Sequence, residues 1–458
     1  MNFSVFSIQL SVCSSLLVSS LSAAEALPLS KSYWKDSEFL KSFNGSYRIN
    51  ARIEPTVTTE ERGLLVSIQS MMALGKRKEA LAKLKASSLA KTSAAISFNI
   101  ANIQFELGEM EDAAESYQKA LKIFPNFRRA HRNLGFVYVR QDDWDKALPA
   151  FEQALRLGDQ DGATYGQLAY GRMQKEQYAS ALQAYRLAQV TQPESIDWKA
   201  GIAQCLQHLQ RNEEALALVD EVIAARPEEV SYYLLQSSIQ LSMDRSDEAM
   251  TNLEMVRRMG KLDAENHLLL ANLHLRSGNG KLARPVMMAA IEMEPKAPLE
   301  SALNVLAFAA DGKDWKLARD FADAVAKAWP EIKDEKLSSK LQRLGALIDI
   351  DSGENPERGA KVLESLMKKD PLDGDALTLL AGYRIEEKRN QEGEMLLQQA
   401  SKIEGYEYNA RLELAKLYVS LSRYPEALEE LDLVLKIRSS PAISTYRNAV
   451  ANLAEAAR

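Results

Sequence analysis

Cysteine and histidine are scarce in this sequence, and their scarcity excludes several kinds of site. The 458 residues include two cysteines and four histidines. Cys13 lies in an apolar stretch near the N-terminus, which leaves Cys205 as the one cysteine in the rest of the chain. A single cysteine can neither close a disulfide within that part of the chain nor supply a cysteine-based zinc site. We expect Cys205 to be a small buried side chain in a helix.

An excess of positive charge is missing as well. Lysine and arginine number 57 against 63 aspartates and glutamates, so the formal net charge is −6. Proteins that bind nucleic acids concentrate basic side chains on one face and release counterions from the phosphates. This sequence has no such block of lysines and arginines, and it predicts no nucleic-acid partner. The 46% of hydrophobic and 26% of charged residues indicate a folded protein.

Signatures of catalysis are absent too. The sequence contains no G-x-S-x-G, phosphate-binding loop, G-x-G-x-x-G or H-E-x-x-H motif. His267 and His274 are seven residues apart and could share a helix face, but a metal site needs further ligands. Acidic pairs such as Glu213-Glu214 are expected on solvated faces or at helix N-termini, which favour negative charge. The sequence predicts no enzyme, no catalytic or metal-binding residue, no cofactor and no small-molecule substrate.

The N-terminal stretch 1–24 has the composition of a secretory signal. It carries no charged side chain, it is mostly apolar or serine, and Ser22-Ala23-Ala24 offers the small residues that a signal peptidase requires. We therefore predict a signal peptide at 1–24 and an exported protein, periplasmic or extracellular. No later stretch is apolar enough for a membrane-spanning helix, so any membrane association is predicted to be indirect.

The sequence has a 34-residue repeat period. One series of small residues consists of Ala113, Ala147, Ala181, Ala215, Ala249 and Ala283. A second series lies seven positions further on and consists of Ala120, Ala154, Ala188, Val222, Val256 and Ala290. A third series in the same phase consists of Pro125, Pro193, Pro227 and Pro295. Small residues let two helices pack closely, where a bulky side chain would cost about 1–3 kcal/mol. Proline ends a helix because it lacks an N–H, so the three series predict helical hairpins.

The best-preserved unit resembles the tetratricopeptide repeat family. Residues 128–161 carry the family signature at Leu134, Gly135, Tyr138, Ala147, Phe151 and Ala154. The resemblance implies an all-α fold, a right-handed α-α superhelix of helix-turn-helix units in which small residues pack one helix against the next. The packing residues that it assigns are Ala113, Ala120, Gly135, Ala147, Ala154, Ala181, Ala188, Ala215, Ala249, Ala283 and Ala427.

The repeat phase divides the remaining chain into four parts. Residues 25–57 show no repeat phase, although they contain five aromatic residues. A regular array of about eight repeats is predicted at 58–332, a less regular array of about three repeats at 333–441, and a capping helix at 442–458. The eleven predicted units are 61–93, 94–127, 128–161, 162–195, 196–229, 230–263, 264–297, 298–332, 336–373, 374–407 and 408–441. An extra turn is expected near 353–356.

The resemblance also implies where a partner would bind. In this family the first helices of the hairpins line a concave groove, and their solvent-facing positions form the ligand site. In this sequence those positions include Phe98, Asn102, Phe105, Arg129, Arg132, Phe136, Arg140, Tyr170, Gln204 and Asn272. Aromatic side chains beside asparagine and arginine suit a peptide or a helix, because asparagine can hydrogen-bond a peptide backbone and arginine a carboxylate.

The function that these expectations favour is a non-catalytic scaffold or adaptor that holds a peptide or protein segment in its groove. The leader would place it in the bacterial cell envelope or the secretory pathway. The repeats run almost to the last residue, which leaves no room for an enzyme domain. Two alternatives remain open. One is a self-associating array, whose outer faces or irregular unit near 333–373 join copies together. The other is a cytoplasmic regulator, if the leader is not cleaved.

Overall fold

The computed structural model describes residues 52–294 and 296–457, and within these residues every regular element is a helix. Twenty-three α-helices follow one another in this part, and within each of the two units described below helices pack in consecutive pairs. They form eleven hairpins and one final helix, so the predicted all-α fold of helix-turn-helix repeats is confirmed. The predicted signal peptide, residues 25–51 and Pro295 lie outside the described residues.

The described chain divides into two compact units, and the division in the sequence lies between Asn252 and Leu253. The helices of the first unit are α1 (Thr59–Ala73), α2 (Arg77–Ala86), α3 (Ala94–Leu107), α4 (Met110–Ile123), α5 (Arg128–Arg140), α6 (Trp144–Arg156), α7 (Gly162–Gln174), α8 (Tyr178–Thr191), α9 (Ile196–His208), α10 (Asn212–Ala225), α11 (Val230–Ser242) and α12 (Ser246–Arg258), which crosses the boundary. Odd-numbered helices are the first helices of the hairpins.

The second unit continues the same alternation. Its helices are α13 (Ala264–Arg276), α14 (Gly280–Glu292), α15 (Leu299–Asp311), α16 (Trp315–Ala328), α17 (Glu335–Asp351), α18 (Pro356–Lys369), α19 (Gly374–Glu386), α20 (Asn390–Ala400), α21 (Glu407–Ser420), α22 (Tyr424–Ile437) and α23 (Pro441–Ala456). Val450 of α23 is buried in a cluster with Leu417 and Leu431. The last helix therefore covers the final hairpin, as a capping helix must.

Local sequence signals set the helix ends. The spacing of Thr58 and Glu61 predicts a capping box before α1, and the structure contains it: the Glu61 N–H donates to Thr58 Oγ1 at 3.2 Å and the Thr58 N–H donates to Glu61 Oε2 at 2.7 Å. Pro125 and Pro193 each stand two residues beyond the last residue of a second helix, α4 and α8. They stop the helix because they cannot donate to its ladder.

The turn inside each hairpin repeats with the same period. In the first unit one residue of each turn has a positive φ, namely Gly75, Gly108, Asp142, Glu176, Gln210 and Asp244. The residue that follows closes the turn, as where the Asp143 N–H donates to the Tyr138 carbonyl at 2.9 Å. This geometry satisfies the carbonyls that a helix end leaves without an intrahelical donor. Four of the six positions are not glycine, so residue type alone does not reveal this series.

The small residues of the first alanine series are all buried. Ala113, Ala147, Ala181, Ala215, Ala249 and Ala283 all have 0% exposure. Gly135 shows why the signature needs a small residue: a Cβ there would lie 2.6 Å from Cε1 of Phe151. The Phe151 ring fills the space that the missing side chain leaves, so the two residues form one packing element between α5 and α6.

The irregular region keeps the 34-residue period, although not the phase of the alanine series, and glycine takes the place of alanine in two units. Gly359, Gly393 and Ala427 follow one another at intervals of one repeat period, and all three are buried. A Cβ on Gly359 would lie 2.6 Å from the Ala346 carbonyl oxygen, so α17 and α18 approach closely there. The ninth hairpin differs mainly in length, because α17 has 17 residues and α18 begins at Pro356. Residues 352–355, near which the sequence predicts an extra turn, form the connection between them.

The ninth hairpin is also held by a buried ion cluster. The carboxylate of Asp349 on α17 is 3% exposed and pairs with Arg319 of α16 and Arg358 of α18. Arg358 donates from Nε to Oδ2 at 2.7 Å and from Nη2 to Oδ1 at 2.5 Å. One carboxylate therefore joins three consecutive helices in the part of the array where the repeat is least regular.

Candidate peptide-binding surface

The sequence predicts ten solvent-facing residues on the first helices, and the structure buries seven of them. The seven are Phe98, Asn102, Phe105, Arg129, Arg132, Phe136 and Gln204. Arg140 is exposed, whereas Tyr170 and Asn272 are half-buried. The predicted exposure is therefore wrong for the seven, while their role in binding stays a prediction. Asn272 lies on α13 of the second unit, and we call the surface that the other nine positions form on α3, α5, α7 and α9 the inner face.

Two of the aromatic residues belong to the packing between helices. The ring of Phe98 lies 4.7 Å from that of Phe127 and 5.7 Å from that of Tyr117, measured between centroids. The ring of Phe136 meets Phe151 edge to face at 5.1 Å. Such pairs stabilise a core beyond the apolar area that they bury. Phe98 and Phe136 are therefore part of the packed core below the surface, and each exposes only 1% of its area.

Asn102 is part of a buried hydrogen-bond network. Its Oδ1 accepts from the Tyr117 hydroxyl at 2.5 Å and from Nδ2 of Asn133 at 3.2 Å. Burial raises the pKa of Tyr117 far above its usual value, so this hydroxyl stays protonated and remains a donor. The amide oxygen of Asn102 therefore links α3, α4 and α5, which explains why it is buried at a position where the repeat pattern predicts a ligand contact.

Arg129 is buried because an acidic residue from outside the repeats pairs with it. Nε and Nη2 of Arg129 donate to Oε2 of Glu54 at 2.9 and 2.8 Å. The guanidinium carbon also lies 5.2 Å from the ring centroid of Phe98 and 5.8 Å from that of Phe127. Stacked aromatic rings and a carboxylate are the two kinds of partner that a guanidinium prefers. The carboxylate of Glu54 is 6% exposed, so the pair is largely shielded from water.

The same segment is held through its backbone. The N–H of Arg128, at the start of α5, donates to the carbonyl of Ile53 at 3.1 Å. A helix N-terminus offers N–H groups that have no acceptor within the helix. We call residues 52–58 the connecting segment, because it leads from this contact to Thr58 at the start of α1. The inner face therefore holds a piece of polypeptide by one carbonyl and one carboxylate.

The other arginines of the inner face have different surroundings. Nη1 of Arg132 donates to Oδ2 of Asp161 at 3.2 Å, which ties α5 to the residue that caps α7. Arg140, at the end of α5, is the one predicted arginine that reaches solvent. Of the three predicted arginines, Arg129 combines a carboxylate with aromatic rings. Glu54 itself carries no repeat signal in the sequence, which is why the repeat pattern does not identify it.

The surroundings of Cys205, His267 and His274 indicate structural roles for these three residues. Cys205 is fully buried beside Met173, with 3.5 Å between the sulfurs, and burial raises the pKa of its thiol to about 12. His267 is buried, with Nδ1 2.8 Å from the Asp263 carbonyl oxygen. Burial lowers the pKa of His274, which favours its neutral form. Across residues 52–294 and 296–457, no group of three or more potential ligands could hold a metal ion.

No helix between residues 52 and 457 that the structure describes has both the length and the apolar character to cross a bilayer.

Comparison with known proteins places the repeats in a family. Residues 101–142 match a family model described as TPR repeat, and residues 128–161 and 172–239 match models described as tetratricopeptide repeat. The Bacillus subtilis protein named TPR repeat-containing protein YpiA is 27% identical over 123 residues, which are 27% of this chain and 29% of that protein. The human protein O-mannosyl-transferase TMTC3 is 23% identical over 338 residues, 70% of this chain and 32% of that protein.

This chain thus spans about a third of the length of these two relatives. Among solved structures, the crystal structure of YrrB, described as a TPR protein with an unusual peptide-binding site, is 24% identical; the match covers 36% of this chain and 84% of that chain, with a TM-score of 0.34. Pseudomonas aeruginosa pilF is 15% identical, covering 47% of this chain and 96% of that chain, with a TM-score of 0.39. The hairpins, their common repeat period and the family matches agree: residues 101–161 and 172–239 of this chain are tetratricopeptide repeats.

Proposed function

We propose that this chain is a non-catalytic scaffold that holds an extended, acidic segment of a partner protein on the inner face of its first unit. Tetratricopeptide repeat proteins bind protein or peptide partners, and the repeats occupy most of the described chain. The observation that carries the finer proposal is the pair between Glu54 and Arg129, together with the carbonyl of Ile53 on the Arg128 N–H. A partner peptide would make the same two contacts.

The chemistry of the contact defines the ligand class. Arg129 offers two donors to one carboxylate oxygen, and its guanidinium is already oriented by Phe98 and Phe127. Hydrogen bonds between charged groups contribute about 1.5–3 kcal/mol each in protected sites. The backbone contact at α5 adds affinity without selecting a side chain. The surface therefore favours a glutamate or aspartate whose preceding residue can offer its backbone carbonyl to the N-terminus of α5.

The test uses the variant Glu54→Ala, which removes the carboxylate now bound to Arg129. Random peptides are selected on the full-length variant, and the binding of the best sequences is measured by fluorescence polarisation. We expect selected peptides to share an acidic residue. Adding Arg129→Gln should then weaken binding at least tenfold, because losing the charged hydrogen bonds removes at least the binding free energy that corresponds to one factor of ten in Kd.

A matched control removes an arginine elsewhere. Arg62 of α1 is exposed, and Arg62→Gln changes the net charge by the same amount as Arg129→Gln. This change in the Glu54→Ala background should leave peptide affinity within twofold. Equal losses in the two double variants, with unchanged helical circular dichroism, would mean that binding depends on net charge and that the proposed surface is wrong.

We also propose that the scaffold works outside the cytoplasm, in the cell envelope or the secretory pathway. The support is the uncharged leader at 1–24 and its small residues at Ser22-Ala23-Ala24. We expect the protein purified from its native cells to begin at Glu25, as N-terminal peptide mass spectrometry would show. A chain that keeps Met1 and fractionates with cytoplasmic proteins would instead support the cytoplasmic regulator.

A further inference from the structure

An open cleft with aromatic and acidic walls lies at the end of α5 that is remote from Arg129. It is formed where the turn between α5 and α6 meets the last turn of α7, and its volume is about 670 Å³. Clefts that hold ligands have volumes of about 300–1,000 Å³. The residues that line it are Gln141, Asp142, Asp143, Trp144, Asp145, Tyr170, Gln174 and Lys175.

The indole of Trp144 is held in a fixed position in this cleft. Its Nε1 donates to Oδ1 of Asp142 at 2.8 Å, and its ring lies 5.1 Å from that of Tyr170 between centroids, tilted by 53°. Gly171 of α7 leaves room for the indole, because a Cβ there would lie 2.6 Å from Cε3 of Trp144. Both rings are half-buried, so part of each remains accessible to a ligand.

The next repeat differs at the same place. One period further on, Tyr178 takes the place of Trp144, and its ring stacks on His208 with 4.0 Å between centroids and 5° between planes. A side chain of the array itself therefore covers this aromatic residue. The residue at the repeat position of His208 beside the cleft is Gln174, which is exposed and offers no ring. The repeat pattern alone does not explain why Trp144 is left accessible.

The carboxylates of the cleft differ in their partners. Asp143 accepts from Nζ of Lys146 at 2.6 Å, and Asp145 accepts from Nζ of Lys175 at 2.5 Å. Within residues 52–294 and 296–457, no lysine or arginine forms an ion pair with Asp142. Asp142 is exposed beside the indole. Its negative charge is therefore available to a cation that reaches the two rings.

We propose that this cleft binds an arginine side chain of a partner protein, with the guanidinium against Trp144 and Tyr170 and in an ion pair with Asp142. Aromatic faces attract cations, and tryptophan does so most strongly. A planar guanidinium can stack on a ring while its N–H groups reach a carboxylate, whereas the ammonium of lysine is compact and more strongly hydrated. The occupant belongs to a protein because tetratricopeptide repeat proteins bind protein or peptide partners.

This site does not depend on the contact at Arg129. Arg129 lies in the first turn of α5 and Gln141 follows its last residue. At about 1.5 Å per residue, the two are roughly 18 Å apart along the helix. The cleft therefore adds a contact of opposite charge preference to the acidic one proposed above.

Fluorine NMR of the full-length protein labelled with 5-fluorotryptophan tests the proposal. The chain has five tryptophans, and the variant Trp144→Phe identifies the signal of Trp144. The probe is a glycine-arginine-glycine tripeptide with both ends blocked. We expect it to shift the Trp144 signal in a saturable way. The same tripeptide with neutral citrulline should bind at least tenfold more weakly, and the one with lysine at least threefold more weakly.

Asp142→Asn removes the charge and keeps an oxygen that can accept from the indole, so it should weaken binding of the arginine tripeptide at least fivefold. Asp244→Asn is the matched control. Asp244 occupies the same turn position three repeats later, is exposed, and has the same φ of 57° as Asp142, but Ser246 stands where the cleft has Trp144. This control should leave the affinity within 1.5-fold.

Three outcomes would overturn the inference. Equal affinity for the arginine and citrulline tripeptides would remove the cationic group from the site. Equal losses in the Asp142→Asn and Asp244→Asn variants would reduce the effect to net charge. Tighter binding of tetramethylammonium than of the arginine tripeptide would assign the cleft to a free organic cation. None of these results concerns Arg129, so the proposed function stands or fails by its own peptide selection.

Discussion

Replacing Phe151 with alanine is expected to lower the free energy of unfolding of the first unit by about 3–5 kcal/mol. Phe151 is fully buried on α6, and its ring meets Phe136 at 5.1 Å. The ring also occupies the space in front of Gly135, where no side chain can move in to replace it. The loss combines the transfer free energy of the ring with an unfilled cavity between α5 and α6.

The measurement must resolve single repeats, because an array need not unfold in one step. Urea unfolding followed by circular dichroism gives the shift in midpoint, and hydrogen exchange shows whether protection is lost first in α5 and α6. Leu187→Ala is the control, since Leu187 lies on α8 of the same unit and is 49% exposed. We expect it to change the unfolding free energy by about 0.5 kcal/mol or less.

A double substitution identifies the cause. Gly135→Ala alone should destabilise the unit, because its Cβ would lie 2.6 Å from the Phe151 ring. In the Phe151→Ala background the same methyl group enters the vacated space, so its cost should disappear. Strictly additive effects of the two changes would contradict this account, because residues that share a cavity are coupled.

The fold was predictable from the sequence because every repeat needs a small residue at the same contact between its two helices. The side chain at position 147 has to be small because α5 and α6 approach each other closely there. The same requirement returns once in every repeat and produces the series of alanines. The prediction extended less well into the ninth and tenth units, where Gly359 and Gly393 take the place of alanine. Glycine meets the steric requirement equally well, but a search for alanines does not find it.

The binding surface was harder to predict because repeat position does not determine exposure. Phe136 occupies a position expected to face solvent, yet its ring packs on Phe151, since the side chain of an aromatic residue reaches past its own helix. Glu54 lies outside the repeats, so no period points to it. Its pairing with Arg129 joins residues 75 apart in sequence, and contacts of that kind appear only once the chain is folded.

In the second unit, Asp349→Ala is expected to lower the free energy of unfolding by about 3 kcal/mol. Asp349 is the shared acceptor of Arg319 and Arg358, and it is 3% exposed. Removing one partner of a buried ion pair costs about 3–5 kcal/mol, because the remaining charge stays out of water. The Arg358 side chain is 59% exposed and can regain water, whereas that of Arg319 is 19% exposed. The cost therefore arises chiefly at Arg319.

Asp311→Ala is the matched control, since it removes an exposed aspartate from the end of α15 in the same unit. It should change the unfolding free energy by about 0.5 kcal/mol or less. Asp349→Ala should reduce hydrogen-exchange protection in α17 and α18 before it affects α21 and α22. The double variant Arg319→Met with Asp349→Leu replaces the buried ion pair by apolar side chains and leaves no buried charge at either position. If the net pairing energy of the ion cluster is small, this variant should recover most of the stability that Asp349→Ala loses. An Asp349→Ala protein as stable as the Asp311→Ala control would show that the ion cluster does not stabilise the ninth hairpin.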